Sequence, residues 1–246
     1  MLKGLILAGG TGSRLLPVTK IMNKHVIPVG MKPMIYHPLE KLAEAGIKEV
    51  LIVTGTEHLG DIVALVKDGR DFGLDVSYKV QHDAGGISQA LYLAKDFVND
   101  SPFVTILGDN IFQDNLSAYT EKWRHIVYED HRRPLGMIIL KEVADSHRFG
   151  VAVIENGLLK RIVEKPSIPA LSKLAVTGIY FYCGKTLFNY IESLKPSARN
   201  ELEISDLNNK LIESNTLYTD TFIGYWSDCG TWESLQHTNR LLGESL

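Results

Sequence analysis

The stretch Leu5-Ile6-Leu7-Ala8-Gly9-Gly10-Thr11-Gly12-Ser13-Arg14 decides the fold, because an apolar run starting almost at the first residue opens directly onto glycines. A buried strand that runs into a glycine-rich loop is how an α/β sheet begins, with ligands held beyond the carboxyl ends of its strands. Gly9, Gly10 and Gly12 let the backbone turn sharply and bring its N–H groups close to an anion such as a triphosphate. Arg14 adds a permanently charged fork for phosphate oxygens. Neither of the two commonest phosphate loops fits: no Gly-Lys-Ser/Thr follows, and the spacing Gly10-x-Gly12-x-x-Leu15 breaks the dinucleotide pattern.

Outward from the loop, apolar runs at 50–53, 76–80 and 103–107 read as strands, alternating with helical patterns over 33–45, 60–67 and 88–98. This alternation predicts βαβ units and a largely parallel sheet. Pro33 falls in the first turn of its helix, Ile35, Leu39 and Leu42 share one face, and Gly46 ends it. Beyond residue 142 the pattern changes. Runs at 151–154 and 158–163 flank Asn156-Gly157, a pair that favours positive φ and closes a β-hairpin. A strand over 175–182 and helices over 187–194, 204–213 and 232–242 complete the chain. The loop after Leu7, Gln81 and Asp109 all fall at strand ends, so three polar features converge on one rim.

With 246 residues, 45% of them hydrophobic, the chain buries a full core as one domain. A net charge of −3 without a long basic run argues against a nucleic-acid partner. The N-terminal apolar run is too short for a membrane span or a signal peptide, so no membrane partner is expected. Two cysteines, Cys183 and Cys229, make no disulfide framework and suit a reducing, cytoplasmic location. The eight histidines show no metal-ligand spacing.

The loop with Pro17-Val18-Thr19-Lys20, then Lys32-Pro33-Met34-Ile35-Tyr36, Gln81 with Gly86 and Gln89-Ala90, and Leu107-Gly108-Asp109-Asn110-Ile111-Phe112 form an ordered series. Glu164-Lys165-Pro166, Val176-Thr177-Gly178, Glu201-Leu202-Glu203-Ile204-Ser205-Asp206 and Trp226-Ser227-Asp228-Cys229-Gly230-Thr231 continue it. Along nearly its whole length the chain thereby resembles the sugar-1-phosphate nucleotidylyltransferases, most of all those that join dTTP to glucose 1-phosphate. The resemblance implies an α/β, Rossmann-like, mixed and mostly parallel central sheet with helices on both faces and an added β-hairpin region for the sugar. The nucleotide-binding half is expected at about 1–142 and the sugar-binding half at about 143–246. Leu7, Gly9, Gly10, Thr11, Gly12, Ser13, Arg14, Gln81 and Gly86 would bind the nucleotide, and Gly150, Glu164, Lys165 and Val176 the sugar phosphate. Arg14, Lys24, Asp109, Lys165 and Asp228 would carry catalysis, with Asp109 and Asp228 holding Mg²⁺, a cation that takes carboxylate and phosphate oxygens. A homo-oligomer is implied as well.

Nucleotidyl transfer needs charge neutralisation and in-line placement more than a general base. A sugar phosphate, with a second pKa of about 6, is already mostly dianionic at neutral pH and attacks unaided. Gln81 can accept from N3–H and donate to O4 of thymine, but uracil offers the same edge, and a flipped amide would suit cytosine. Activity with UTP beside dTTP is therefore expected. Uridylyl, cytidylyl or guanylyl transfer, or a non-catalytic sugar-nucleotide binder, are the alternatives; retention of all five catalytic candidates argues against the last. A dinucleotide-dependent oxidoreductase loses support because Val53-Thr54-Gly55 stands where an acidic residue would end the second strand. The end at Leu246 suggests a short form with weak feedback by the dTDP-sugar. Cys229 beside Asp228 reads as a small buried thiol; the sharper alternative is a thiol whose oxidation displaces Asp228.

Overall fold

The computed structural model of the chain describes residues 1–131, 133–167 and 172–243. Its strands are β1 (Lys3–Ala8), β2 (Pro28–Val29), β3 (Lys32–Pro33), β4 (Glu49–Gly55), β5 (Asp75–Gln81), β6 (Phe103–Leu107), β7 (Asn110–Phe112), β8 (Gly136–Glu142), β9 (Gly150–Glu155), β10 (Leu158–Glu164), β11 (Leu174–Tyr182), β12 (Leu217–Thr221) and β13 (Trp226–Asp228). The α-helices are α1 (Tyr36–Glu44), α2 (Leu59–Val66), α3 (Ile87–Tyr92), α4 (Lys95–Val98), α5 (Leu116–Glu129), α6 (Thr186–Glu192), α7 (Ile204–Glu213) and α8 (Trp232–Gly243).

The parallel strands β5-β4-β1-β6 form one side of the main sheet, with β5 at its edge and Leu5 of β1 paired to Leu51 on β4 and Thr105 on β6. Antiparallel β11 joins β6 through Ile179–Tyr182, β8 pairs along its other edge, and β12 runs parallel to β8. Near its start β11 touches β9, so the hairpin β9-β10 extends the sheet beside the carboxyl ends of the parallel strands. The sheet is thus continuous from the first half of the chain into the second.

Alternation along each strand feeds two cores. Ile6 and Ala8 face α1, α2 and α5, while Leu5 and Leu7 face α3, α4, α6 and α7. Leu39 and Leu42 of α1 are fully buried, each worth roughly 1.5–3 kcal/mol of transfer free energy. A third cluster, with Leu15, Met34, Ile111, Cys229 and Leu235, packs behind the glycine loop. The mixed α/β class with helices on both faces is as expected.

Two helices differ from the sequence reading. Pro33 does not start α1: Lys32–Pro33 pairs with Pro28–Val29, and Met34 and Ile35 donate their N–H groups to Ile27 and His25 carbonyls, so helix begins only at Tyr36. The pattern over 88–98 splits into α3 and α4 between Tyr92 and Lys95. The hairpin turn is as expected, Asn156 and Gly157 both having positive φ, 52° and 76°.

Candidate active site

At Gly12 the glycine loop enters the left-handed region, φ 62°, where a Cβ would lie 2.7 Å from Thr19 Cγ2. Only glycine fits there without moving Thr19, whose hydroxyl donates to the Gly12 carbonyl at 2.8 Å and latches the loop. Ser13–Leu15 then makes one 3-10 turn that buries Leu15 and leaves Arg14 exposed. The Arg14 guanidinium lies over Gly230, whose missing Cβ would sit 3.0 Å from Nη2. The first loop and the segment after β13 therefore meet.

Lys24 Nζ donates to Asp109 Oδ2 at 2.6 Å, and Asn110 Nδ2 donates to Oδ1 at 3.0 Å. Burial pushes the Asp109 carboxyl up, but Lys24 and these hydrogen bonds outweigh it and hold it far below the usual carboxylate range. Asp109 is accordingly a permanent anion. Beneath it lies His25, fully buried, its pKa lowered to about 3 by burial and then by Lys24. Nδ1 of this neutral ring donates to Asn23 Oδ1 at 2.8 Å. The ring also explains Gly108, where a Cβ would lie 2.8 Å from His25 Cδ2.

Two three-residue strands bring the second carboxylate in. β13 pairs antiparallel with β7, setting Asp228 opposite Asn110, and the Cys229 N–H donates to the Asp109 carbonyl at 2.8 Å. Burial first, and the Asp109 charge second, raise the Asp228 pKa to about 6. Arg148 answers that charge: Nη2 donates to Asp228 at 3.1 and 3.3 Å while Nη1 donates to Asp145 at 2.7 Å. Among the described residues no group of three or more His, Cys, Asp and Glu side chains is arranged to hold a metal ion. A cation between Asp109 and Asp228 would thus take two carboxylates and fill its remaining positions with water or ligand oxygens. That all-oxygen donor set, each carboxylate balanced by a basic side chain in the structure, fits Mg²⁺.

Arg14, Lys24 and Asp109 face a cleft of about 570 Å³ at the carboxyl ends of β1, β5 and β6. Leu7, Gly9, Gly10, Ser13, Arg14, Lys24, Gln81, Gly86, Asp109 and Lys165 line it, together with Ala84, Leu107, Arg199 and Glu201. Gln81 Nε2 donates to the Gly86 carbonyl at 3.2 Å and to Gln89 Oε1 at 2.7 Å. Lys165 enters from the hairpin side with φ 41°, a left-handed conformation held by its N–H donating to Phe149 O at 3.0 Å. Strain of about 1–3 kcal/mol at such a residue persists only where its surroundings fix it. A second hollow of about 420 Å³, lined by Met31, Glu40, Lys41, Gln113 and Tyr225 among others, contains none of the candidate site residues.

A family model described as nucleotidyl transferase matches residues 3–245. The chain belongs to the nucleotidyl transferase family. Glucose-1-phosphate thymidylyltransferase of Neisseria meningitidis is 40% identical over 237 residues, covering 95% of this chain and 80% of that protein. The enzyme of the same name from Xanthomonas campestris is 41% identical over 236 residues, with 95% and 78% covered. A crystal structure of a candidate glucose-1-phosphate thymidylyltransferase from Bacillus anthracis, in complex with sucrose, is 48% identical with a TM-score of 0.91, covering 98% of this chain and 95% of that one. UDP-glucose pyrophosphorylase complexed with UDP-glucose follows at 25% identity and a TM-score of 0.83. As members of this nucleotidyl transferase family do, the chain acts as an enzyme on nucleotide and sugar-phosphate substrates.

Six candidates lie off the cleft lining. Thr11 borders a smaller hollow of about 130 Å³ shared with Gly10 and Gln81, Gly12 turns the loop, and Asp228 stands opposite Asn110 on β13. Gly150, Glu164 and Val176 belong to the hairpin side: Ser205 Oγ donates to Glu164 Oε2, and a Cβ on Gly150 would lie 3.1 Å from that hydroxyl and 3.3 Å from Oε2. Val176 is buried in β11, and Gly178 beside it receives the Asn110 amide, Oδ1 accepting from its N–H at 2.9 Å. Arg148 and Arg199 escaped the sequence reading. Arg199 holds Glu203 at 2.7 Å and Glu164 at 3.4 Å from the cleft edge; isolated arginines carry no spacing signal.

Cys229 is fully buried, and burial raises its thiol pKa to about 12, so the reactive-thiol alternative loses its basis. Native protein treated with iodoacetamide at pH 8 should show no alkylated Cys229 by mass spectrometry, and both cysteines should react after denaturation. Stoichiometric labelling of Cys229 in the native state would contradict this placement.

Proposed function

We propose that the chain transfers a thymidylyl group from dTTP to glucose 1-phosphate, giving dTDP-glucose and pyrophosphate. The observation that carries this reading is the layout of one cleft: an amide reader, Gln81, near Gly86, a glycine loop with Arg14 and Lys24 beside Asp109, and Lys165 with Arg199 where the hairpin closes over the rim. A base, a triphosphate and a phosphorylated sugar need those groups in that order. The thymidylyltransferase relatives act in support.

Arg14 and Lys24 neutralise the triphosphate, and the loop N–H groups hold its oxygens. Lys165 and Arg199 bring up the dianionic sugar phosphate, whose oxygen attacks the α-phosphorus as the bond to the bridging α–β oxygen breaks and pyrophosphate leaves. No proton need be abstracted. Mg²⁺, held by Asp109 and Asp228, would stabilise charge on the phosphate oxygens. Glu164, fixed by Ser205, faces the sugar hydroxyls. Because uracil offers the same edge as thymine, UTP is the second nucleotide expected. The product suits synthesis of rhamnose, other deoxysugars and surface polysaccharides in the cytoplasm, by a homo-oligomer; among the described residues no helix is long and apolar enough to cross a membrane.

Calorimetric titration tests the reading: dTTP should bind, dTDP-glucose should compete, and Gln81→Ala should weaken dTTP about tenfold or more. Unchanged binding in Gln81→Ala contradicts it. Lys165→Met should raise KM for glucose 1-phosphate by about 10- to 100-fold with a far smaller change for dTTP, the loss of one charged phosphate contact. Equal changes in both KM values in steady-state kinetics would remove Lys165 from the sugar-phosphate site.

A further inference from the structure

We infer that Gln89 is the positioning residue that lets the cleft tell thymine and uracil from cytosine. It does so by fixing which end of the Gln81 amide faces the base; the inference rests on the reading of this cleft as the site of a pyrimidine nucleotide.

A glutamine alone reads either pyrimidine edge, because its oxygen and nitrogen exchange by a flip. Here two backbone groups of known polarity set the direction. The Gly85 N–H can only donate, and its hydrogen is shared between the Asp83 carbonyl at 2.8 Å and Gln89 Oε1 at 3.2 Å. That oxygen must therefore face an N–H from Gln81, and Gln81 Nε2 donates to it at 2.7 Å. The Gly86 carbonyl can only accept, and it takes the second hydrogen of the same Nε2 at 3.2 Å. Both amide hydrogens are consumed. Flipping Gln81 would set its oxygen against two acceptors, and flipping Gln89 to follow it would set an NH₂ against the Gly85 N–H.

The lock is also sterically tight. A Cβ at Gly85 would lie 2.4–2.6 Å from the Gln89 amide atoms, so the amide lies directly on the Gly85 backbone. Gln81 Oε1 is then the group left for a ligand, 3.0 Å from where a Gly9 Cβ would stand, and Gln81 and Gly9 both line the cleft whereas Gln89 does not. An acceptor presented alone requires a donor on the base. Thymine and uracil supply N3–H; cytosine has a bare lone pair at N3 and would meet oxygen with nitrogen. The device does not act on purines, which differ in size.

The test is the ratio of kcat/KM for dTTP to that for dCTP with glucose 1-phosphate, paired with calorimetric Kd values for both nucleotides. In Gln89→Ala the Gln81 amide loses the shorter of its two contacts and keeps only the Gly86 carbonyl at 3.2 Å, and the ratio should fall at least about tenfold, with dCTP gaining in absolute terms. Gln89→Glu keeps an acceptor for both Gly85 and Gln81 and should hold the ratio within about twofold of the starting protein. If Gln89→Ala does not fold, Gln89→Met fills the same space without the strong acceptor and should show the same fall. A ratio unchanged in Gln89→Ala or Gln89→Met, with both nucleotides weakened together, overturns the lock and assigns Gln89 a structural role. If Gln81→Ala leaves dTTP affinity untouched, the base is not at Gln81 and the reading of the cleft falls with the lock; if Gln81→Ala weakens dTTP while the Gln89 variants keep the ratio, the lock alone falls.

Discussion

Asp109→Asn should lower kcat by about a thousandfold or more, roughly 4 kcal/mol of transition-state stabilisation, while the protein stays folded. The side chain is nearly isosteric, and its oxygen can still accept from Asn110 Nδ2. What disappears is the anion that Lys24 meets at 2.6 Å and that shares the site with Asp228. Lys24 loses its partner in a site where the two side chains are only 13% and 12% exposed, which costs stability on the order of 2–3 kcal/mol. Pyrophosphate release, circular dichroism and a Mn²⁺ titration separate the possibilities. Lost turnover, lost Mn²⁺ binding and a native spectrum are expected; retained Mn²⁺ affinity would remove Asp109 from the cation site.

The second large effect is expected at Gly86→Ala. Gly86 has φ 94°, and its new Cβ would lie 2.6 Å from the Leu202 carbonyl oxygen and 2.8 Å from the Leu202 nitrogen. Neither atom is a flexible side-chain end. Both belong to a backbone clasp in which Leu202 N–H donates to the Gly85 carbonyl at 2.8 Å and Ser88 N–H donates to the Leu202 carbonyl at 3.2 Å. Opening that clasp displaces the Gly86 carbonyl that orients Gln81, and Glu201 on the cleft wall. With about 1–3 kcal/mol of backbone strain added, a total near 3 kcal/mol should lower Tm by about 6–12 °C. Nucleotide affinity should fall by about 30-fold or more in the fraction that folds. Thermal melting and calorimetry check both, and a variant with unchanged Tm and dTTP affinity would show that the clasp is not rigid.

Much of this candidate site could be read before folding because the loop after Leu7, Gln81 and Asp109 stand at or just past the ends of apolar strands. Leu7, Gln81 and Asp109 close β1, β5 and the turn after β6, and parallel pairing then places those ends on one rim without further information. The hairpin was equally plain, since Asn156-Gly157 dictates its own turn. What could not be read were the short ladders. β7 and β13 have three residues each, too few for a period, yet their pairing alone brings Asp228 beside Asp109. β8 and α5 were not read at all, although residues 136–140 of β8 and Trp123 of α5 are deeply buried. Arg148 is invisible for a different reason: its role comes from Asp145 three positions away and Asp228 from another strand, and only the fold supplies the second.

The polarity of Gln81 belongs to the same class. Sequence gives an amide with two faces, whereas the Gly85 N–H and the Gly86 carbonyl, brought together by the turn between β5 and α3, leave it one.

The central claim is tested most directly by pyrophosphate release with Mg²⁺ across dTTP, UTP, CTP, GTP and ATP against glucose, mannose, galactose and glucosamine 1-phosphates. The account predicts a maximum at dTTP with glucose 1-phosphate, UTP next, little release from CTP, and none with EDTA. A maximum at CTP or a purine nucleotide, or no release from any pair by folded protein, would contradict it.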